Sequence, residues 1–578
     1  MRQKIIPPTI SFAPDIRPNA WDLAALPLVL GALWLLAFGG MQMATPYNIG
    51  DQLTVSTDPT DLPYYLLRSF LRMAAGLAAS LTFTIVYATL AAKSKYAEKI
   101  LIPILDVLQS IPILGFLSIT VTGFIALFPG NLLGVECAAI FAIFTSQAWN
   151  MTFSLYQSLR TVPYDLQEAA TMYRLSPWQR FWRLELPFAT PPLIWNMMMS
   201  VSGGWFFVVA SEAITVSGQT IMLPGIGSYI SLAIADKNLP AIGWAIIAML
   251  VGILIYDQLF FRPLVSWADK FKFESMPGEE IPSSWLLTFM QRTRLMRNVG
   301  TVPGKVWELS LPIFRRRHDG LGRPVHRGRD FSWIDKFWNA LLAIVAAYAL
   351  IRVGQFVQGE VGLDEIVHVF LLGLATAVRV LVLIAIASVI WVPLGVWIGL
   401  RPKLAQTVQP IAQFLAAFPA NLMFPVAVVL IQRFHLSVEI WTSPLMILGT
   451  QWYILFNVIA GAMAIPTDLK DAAGNFGLKG WLRWKRMILP AIFSSYVTGA
   501  ITASGGSWNA SIVSEMVSWG DTTLVATGIG AYIADATAKG DFPRIALGIC
   551  VMILFVMLFN RQLWRRLYRL AEERWRID

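Results

Sequence analysis

The chain has 578 residues, 56% hydrophobic and only 14% charged, with a mean hydropathy of +0.59. A soluble domain is about half apolar and a quarter charged, so the shortage of charge excludes an ordinary soluble enzyme. The formal net charge of +10 would suit nucleic acid, but the basic residues lie in the connections between apolar runs, where they signal membrane topology instead.

The first twenty residues contain several prolines and show no small-residue cleavage site, so the first apolar run is expected to be an uncleaved span. Twelve spans are predicted in chain order. The first six lie at about 21–41, 64–92, 99–128, 133–158, 189–211 and 240–261. The other six lie at about 333–354, 366–399, 406–432, 438–461, 491–511 and 543–561. Such runs suit helices crossing about 30 Å of hydrocarbon, whereas barrel strands would be short and alternating. The fold class expected is therefore an all-α polytopic membrane protein. Cys137 and Cys550 sit in separate apolar segments and read as unpaired.

Charge in the loops sets the orientation. Residues 42–62 carry Asp51, Asp58 and Asp61 but no Lys or Arg, and 212–240 carry only Lys237. Residues 160–187 hold four arginines, 262–336 hold fourteen basic residues, and the tail after Asn560 holds six arginines. The positive-inside rule then places both termini, residues 160–187 and the central connection in the cytoplasm. The connection, 266–332, is rich in Pro, Gly and charge and reads as an irregular linker with one short amphipathic helix near 284–297.

The two halves repeat each other. Arg72, Pro103 and Pro112 recur as Arg379, Pro410 and Pro419 at an offset of 307, and later positions recur at 303. These include Leu186-Pro187 with Leu489-Pro490, Trp205 with Trp508, and Ser211-Glu212 with Ser514-Glu515. Collinear matches over five spans indicate a parallel duplication with a short deletion between the blocks. The domains expected are 1–63, a first core at 64–265, the linker, 333–365, and a second core at 366–578.

The most polar repeated element is a pair of hairpins, 163–187 and 466–490. Each opens with Pro and an acidic residue, Asp165 or Asp468, as a helix N-terminus prefers. Ala169-Ala170 and Ala472-Ala473 are small enough for another surface to come close. An ordinary cytoplasmic turn explains one such hairpin, whereas two suit a docking surface for a two-fold symmetric partner.

These residues resemble the EAA loop of ATP-binding-cassette importer permeases: Glu-Ala-Ala, three residues, Gly, nine residues, an aliphatic, one residue, Leu-Pro. The first copy has Glu168-Ala169-Ala170, Arg174 in the glycine position, Leu184 and Leu186-Pro187. The second has Asp471-Ala472-Ala473, Gly477, Met487 and Leu489-Pro490. Arg174 and Asp471 depart from the pattern, and the two hairpins are expected to differ in sensitivity to mutation. The resemblance narrows to the nitrate/sulfonate/taurine subgroup. An acidic residue there follows the fifth span, with a Gly-Ile-Gly-Tyr-like element thirteen residues on. The corresponding residues are Glu212, Gly225, Gly227 and Tyr229, and Glu515, Gly528, Gly530 and Tyr532. The glycines read first as a tight extracellular turn, with an outer gate or binding-protein contact as the functional alternative.

The resemblance implies two six-span permease halves fused in one chain, of the type I importer kind, and two copies of a separate cytoplasmic ATPase holding ATP and Mg. It also implies an external solute-binding protein and a small, often anionic solute such as nitrate, a sulfonate or bicarbonate. Gly-Gly pairs in spans five and eleven suit close packing or a path, with Ser200, Ser202, Trp205, Ser504, Ser507, Trp508 and Asn509 as candidate lining. Arg72 and Arg379 are expected to snorkel near the outer ends of their spans, or to favour anions if they face a cavity. No phosphate-binding Gly-Lys-Ser/Thr loop occurs, and four His and two Cys show no metal-ligand spacing, so the chain reads as neither enzyme nor metalloprotein. The competing reading is an ion- or proton-coupled secondary transporter, for which Asp106 is the main span-interior acid.

Overall fold

The computed structural model describes residues 19–47, 53–109, 111, 113–216, 219–271, 284–293, 361–463 and 465–564, with scattered positions at 337–356 and 566–570. Pro112, most of the linker and most of the seventh predicted span lie outside the described residues.

Helices follow the apolar runs closely where those runs lack internal breaks. Ala20–Met43, Leu62–Lys93, Leu186–Glu212 and Leu239–Tyr256 occupy the first, second, fifth and sixth predicted spans. In the second half Leu363–Gly399, Leu489–Ser514 and Phe542–Phe559 occupy the eighth, eleventh and twelfth. Among the described residues seven helical stretches are long and apolar enough to cross a membrane, or nine counting two bent pairs.

The third span of each half is not one helix. Lys95–Leu108 stops before the proline at 112 and Ile113–Leu127 follows. Pro402–Ala417 stops at Phe418-Pro419, and Phe424–Arg433 then leaves at a bend of 75°. Proline lacks the N–H that the helix needs and disfavours helical backbone in the residue before it, which accounts for the break after Ala417. The fourth spans diverge. Leu133–Arg160 is continuous, whereas Val438–Ile447 and Gln451–Met463 meet at 43° around Gly449. Leu133–Arg160 is long enough to cross but less apolar, because Glu136, Thr145, Gln147 and Thr152 are buried against protein.

The duplication extends to backbone irregularities. Five-residue π segments at Phe181–Glu185 and Asp257–Phe261 recur at Trp484–Ile488 and Asn560–Trp564, again 303 residues on. Each fifth-span helix is followed by a two-stranded antiparallel hairpin, which an all-helical reading did not anticipate. Strand β1 (Ala213–Val216) pairs with β2 (Gln219–Met222), Ala213 opposite Met222. Strand β3 (Met516–Trp519) pairs with β4 (Thr522–Val525), Met516 opposite Val525.

The chain forms two compact units that do not coincide with its halves. One comprises 1–41, 157–195 and 255–329, and here the linker helix Trp285–Arg292 meets the first span. Ser284 Oγ caps that helix, Phe289 meets Trp21 edge-on at 5.9 Å, and the Arg292 guanidinium lies 5.4 Å over the Trp21 ring. The other unit comprises 42–156, 196–254 and 330–578 and contains the main apolar core, drawn from both halves.

Candidate functional site

Three arrangements stand out, of which two are duplicated. The first is an ion cluster in each half, fully buried in the first half and partly exposed at Glu439 in the second. Arg72 donates from Nε to Glu136 Oε2 at 2.6 Å and from Nη1 to Glu212 Oε1 at 2.7 Å, with all three side chains fully buried. Arg68 adds a second guanidinium to Glu136 at 2.5 Å. Ser69 Oγ donates to Glu212 and accepts from Ile226 N, while Gly227 N donates to Glu212 Oε2 at 2.6 Å. In the second half Thr376 takes the place of Ser69: its hydroxyl donates to Glu515 and accepts from Ile529 N. Gly530 N donates to Glu515 at 2.8 Å and Arg379 bridges Glu515 and Glu439. A charge inside a protein is tolerable when it is paired and hydrogen-bonded, as the buried Glu136, Glu212 and Glu515 are here.

The clusters replace two expectations. Arg72 is not snorkelling; it is fully buried at the centre of an internal salt-bridge cluster. The Gly-Ile-Gly elements are not tight turns either. Gly225 precedes the helix Ile226–Ala235 in extended backbone, and Gly227 lies in its first turn. A Cβ at Gly225 would overlap the Glu212 carboxylate, and one at Gly227 would overlap the Val209 carbonyl. Gly528 and Gly530 stand likewise against Glu515 and Ser511. Glycine is needed for room, so that the helix N-terminus can close on the acid. Tyr229 is buried with its hydroxyl on the Thr57 carbonyl, and Tyr532 donates to Glu365.

The second arrangement is the hairpin. Its short helices are Tyr164–Met172 and Thr467–Asn475. Asp165, Glu168, Asp468 and Asp471 are exposed, Ala169 and Ala472 are half-buried, and Ala170 and Ala473 are buried. Both helices end in the same left-handed cap. Arg174 has φ +51° and Gly477 φ +65°, and the next amides reach back, Leu175 N to Ala170 O at 3.1 Å and Leu478 N to Ala473 O at 2.9 Å. Arginine pays a steric penalty there that glycine escapes. The first hairpin regains order at its second helix, where Ser176 and Gln179 form a reciprocal capping box absent from Lys479-Gly480. Tyr164, Met172 and Tyr173 are largely exposed in the first copy, as are Phe476 and Trp481 in the second.

The third is a cavity of about 70 Å³ beside the fifth and eleventh spans. Ser202, Gly203, Phe206 and Phe207 line it from the first half. The second half supplies more of the wall, from Phe418 and Ala420 at one helix break, Gly449 and Thr450 at the other, Tyr453, and Gly506. Irregular backbone at such depth is tolerated where protein covers it or a cavity adjoins it.

Comparison with known proteins gives these arrangements a context. Residues 85–261 and 391–575 each match the family described as binding-protein-dependent transport system inner membrane component. The chain belongs to this family. It carries the permease domain twice, as two importer-permease halves of the ATP-binding-cassette class joined in tandem. It is similar to the bicarbonate transport system permease protein CmpB of Synechococcus elongatus, 28% identical over 200 residues, covering 35% of this chain and 68% of that protein. It is also 28% identical over 186 residues to the nitrate import permease protein NrtB of Leptolyngbya laminosa, 32% of this chain and 63% of that one. The glycine betaine/carnitine transport permease protein GbuB of Listeria monocytogenes is 27% identical over 169 residues, 29% of this chain and 54% of that one.

Within this permease the candidate lining residues separate. Ser202 borders the cavity, while Ser200, Ser504 and Ser507 are buried. Trp205 packs on Phe70 and Trp508 on Phe555 and Phe559. Asn509 Oδ1 accepts from Ile113 N at 2.7 Å, tying the eleventh span to the broken third. The sequence reading overlooked Ser69, Glu136, Glu439 and Tyr453. A signal existed for two pairs: Glu136 recurs as Glu439 at 303, and Ser69 as Thr376 at 307. The first pair places the deletion between spans three and four.

Proposed function

We propose that this permease forms the translocation path of an importer for a small solute, driven by a separate ATPase that grips the two hairpins. The single observation that carries the reading is the hairpin pair: two copies with the same left-handed cap, exposed acids and exposed aromatic residues. An isolated structural turn has no need to keep large apolar side chains in water twice. In this reading two copies of the ATPase, holding ATP and Mg, engage residues 163–178 and 466–481. Their closure moves both hairpins together and switches an axial cavity between inward and outward access. A solute-binding protein delivers from the opposite face, and the basic connections support a cytoplasmic location for the hairpins and both termini. The small-anion substrate class rests on the names of the bicarbonate and nitrate relatives.

Glu168→Arg with Asp471→Arg tests the docking. The double variant is expected to lose stimulation of the co-purified ATPase while keeping the circular dichroism of the parent. Undiminished stimulation removes the hairpins from the coupling role.

A further inference from the structure

We propose that Arg180 is a positioning residue that fastens the first hairpin's short helix to the root of the fifth span, so that helix and span move as one body in the first half only. The inference rests on the coupling reading above and deepens it. The helix Tyr164–Met172 has nine residues, too few to hold its shape in water without outside contacts. Its cap adds strain, because Arg174 takes a left-handed backbone at φ +51°. The helix needs support from beyond itself.

A chain of polar contacts supplies it. Gln167 Nε2 donates to the Val162 carbonyl at 2.8 Å. Gln167 Oε1 accepts from Arg180 Nη2 at 3.0 Å, and Arg180 Nε lies 2.9 Å from Glu185 Oε1. Glu185 is buried and ends the π segment Phe181–Glu185, where Leu186 N donates to the Phe181 carbonyl. Single-turn π segments occur mostly at functional sites, and this one leads directly into the fifth-span helix Leu186–Glu212. One guanidinium thus holds the hairpin helix and the start of the span together, through a charge-assisted hydrogen bond and a partly buried ion pair.

The repeat supplies the contrast. At the 303 offset Gln167, Arg180 and Glu185 become Lys470, Arg483 and Ile488. Lys470 and Arg483 only donate, and the Ile488 side chain offers no acceptor, so the same chain of contacts cannot form. The second hairpin's helix ends instead on Gly477, whose left-handed backbone carries no steric penalty. The copy with the strained cap is the copy with the fastening.

The test uses the full chain in lipid nanodiscs. Without ATPase, hydrogen exchange is followed at the Gln167 and Tyr173 amides, which bond the Pro163 and Ala169 carbonyls. Arg180→Met should speed both about tenfold, the low end for a hydrogen bond to a charged group. Arg483→Met should leave the matching Lys470 and Phe476 amides within about twofold. Adding Glu185→Gln to Arg180→Met removes the carboxylate's charge without restoring the link, so the fast exchange should persist. With the ATPase added back, Arg180→Met should lower maximal stimulation about fivefold. The permease concentration giving half-maximal stimulation should stay within about twofold, because the docking residues are untouched. Unchanged exchange in Arg180→Met, its reversal by Glu185→Gln, an equal rise in Arg483→Met, or undiminished maximal stimulation overturns the inference. Should Arg180→Met fail to fold, Gln167→Leu breaks the link from the other side and is read at Tyr173. The exchange measurement needs no ATPase, so failure of the fastening and failure of the hairpins to couple are separately visible.

Discussion

Replacing Arg72 by Met probes the cluster on which the first half is built. The guanidinium is fully buried and serves Glu136, Glu212 and the Pro224 carbonyl, the last at 3.0 Å. Its loss leaves Glu136 with Arg68, and leaves Glu212 with Ser69 and Gly227 N but no counter-charge. Removing one member of a buried pair costs about 3–5 kcal/mol, because the surviving charge has no solvent to return to. The matched change, Arg379→Met, should cost less. The Glu439 side chain is 48% exposed and rehydrates, while Glu515 keeps Thr376 and the amides of Gly530 and Ala531. That loss should be about 1–3 kcal/mol. The expected gap of about 2 kcal/mol is roughly a thirtyfold difference in the unfolding constant. Unfolding in mixed micelles over a denaturant series, followed by circular dichroism, measures both variants. Arg72→Met combined with Glu212→Gln should recover most of the loss, since both charges are then gone and the Arg68–Glu136 pair stands. Equal losses at Arg72 and Arg379, or no recovery in the double variant, refute the argument.

Other consequences follow from local geometry. Arg174→Gly relieves a left-handed arginine by about 1–2 kcal/mol, offset in part by about 0.5–1 kcal/mol of chain entropy, so hydrogen exchange at the Leu175 amide should slow about threefold to fivefold, and Gly477→Arg should speed Leu478 by a similar factor. Gly225→Ala should cost about 1–3 kcal/mol, because the new methyl meets a carboxylate that Arg72 holds in place. Gly243→Ala, with open space around it, should be neutral or stabilising by up to about 1 kcal/mol in the same unfolding assay. The β3–β4 turn is clasped to the helix Ile226–Ala235 through Gly520 N on the Ile234 carbonyl and Lys237 on Asp521 at 2.8 Å. The hydrogen bond and charge of Lys237 hold the Asp521 carboxyl below its ordinary value. The clasp is therefore fully present above about pH 4 and weakens as pH falls through the folded-state value. Exchange at the Gly520 amide, corrected for its intrinsic rate, should rise below that pH, and Asp521→Asn should remove the dependence.

Much of this protein was determined by its sequence because the responsible forces act locally. Long apolar runs place helices, Pro and acid at a hairpin start open a short helix, and Ser176-Pro177 begins another. Duplication shows as an offset without any knowledge of contacts. The αL cap was legible at Gly477 from its residue type but hidden at Arg174, since only the repeat and the backbone reveal that an arginine takes a glycine's conformation. The remainder was decided by tertiary structure. Arg72 and Glu212 are 140 residues apart, and nothing near either names its partner, so an arginine that seemed fit to snorkel became a buried anchor. The Gly-Ile-Gly elements looked like turns because turns and close approaches both select glycine; the carboxylate packed against them distinguishes the two. Likewise the cavity is asymmetric because one fourth span breaks at Gly449 while its counterpart runs straight, and the wall between them comes from packing side chains of both halves. Local chemistry selects the elements, but the partners of buried charges and the shape of the space left over depend on how distant elements pack.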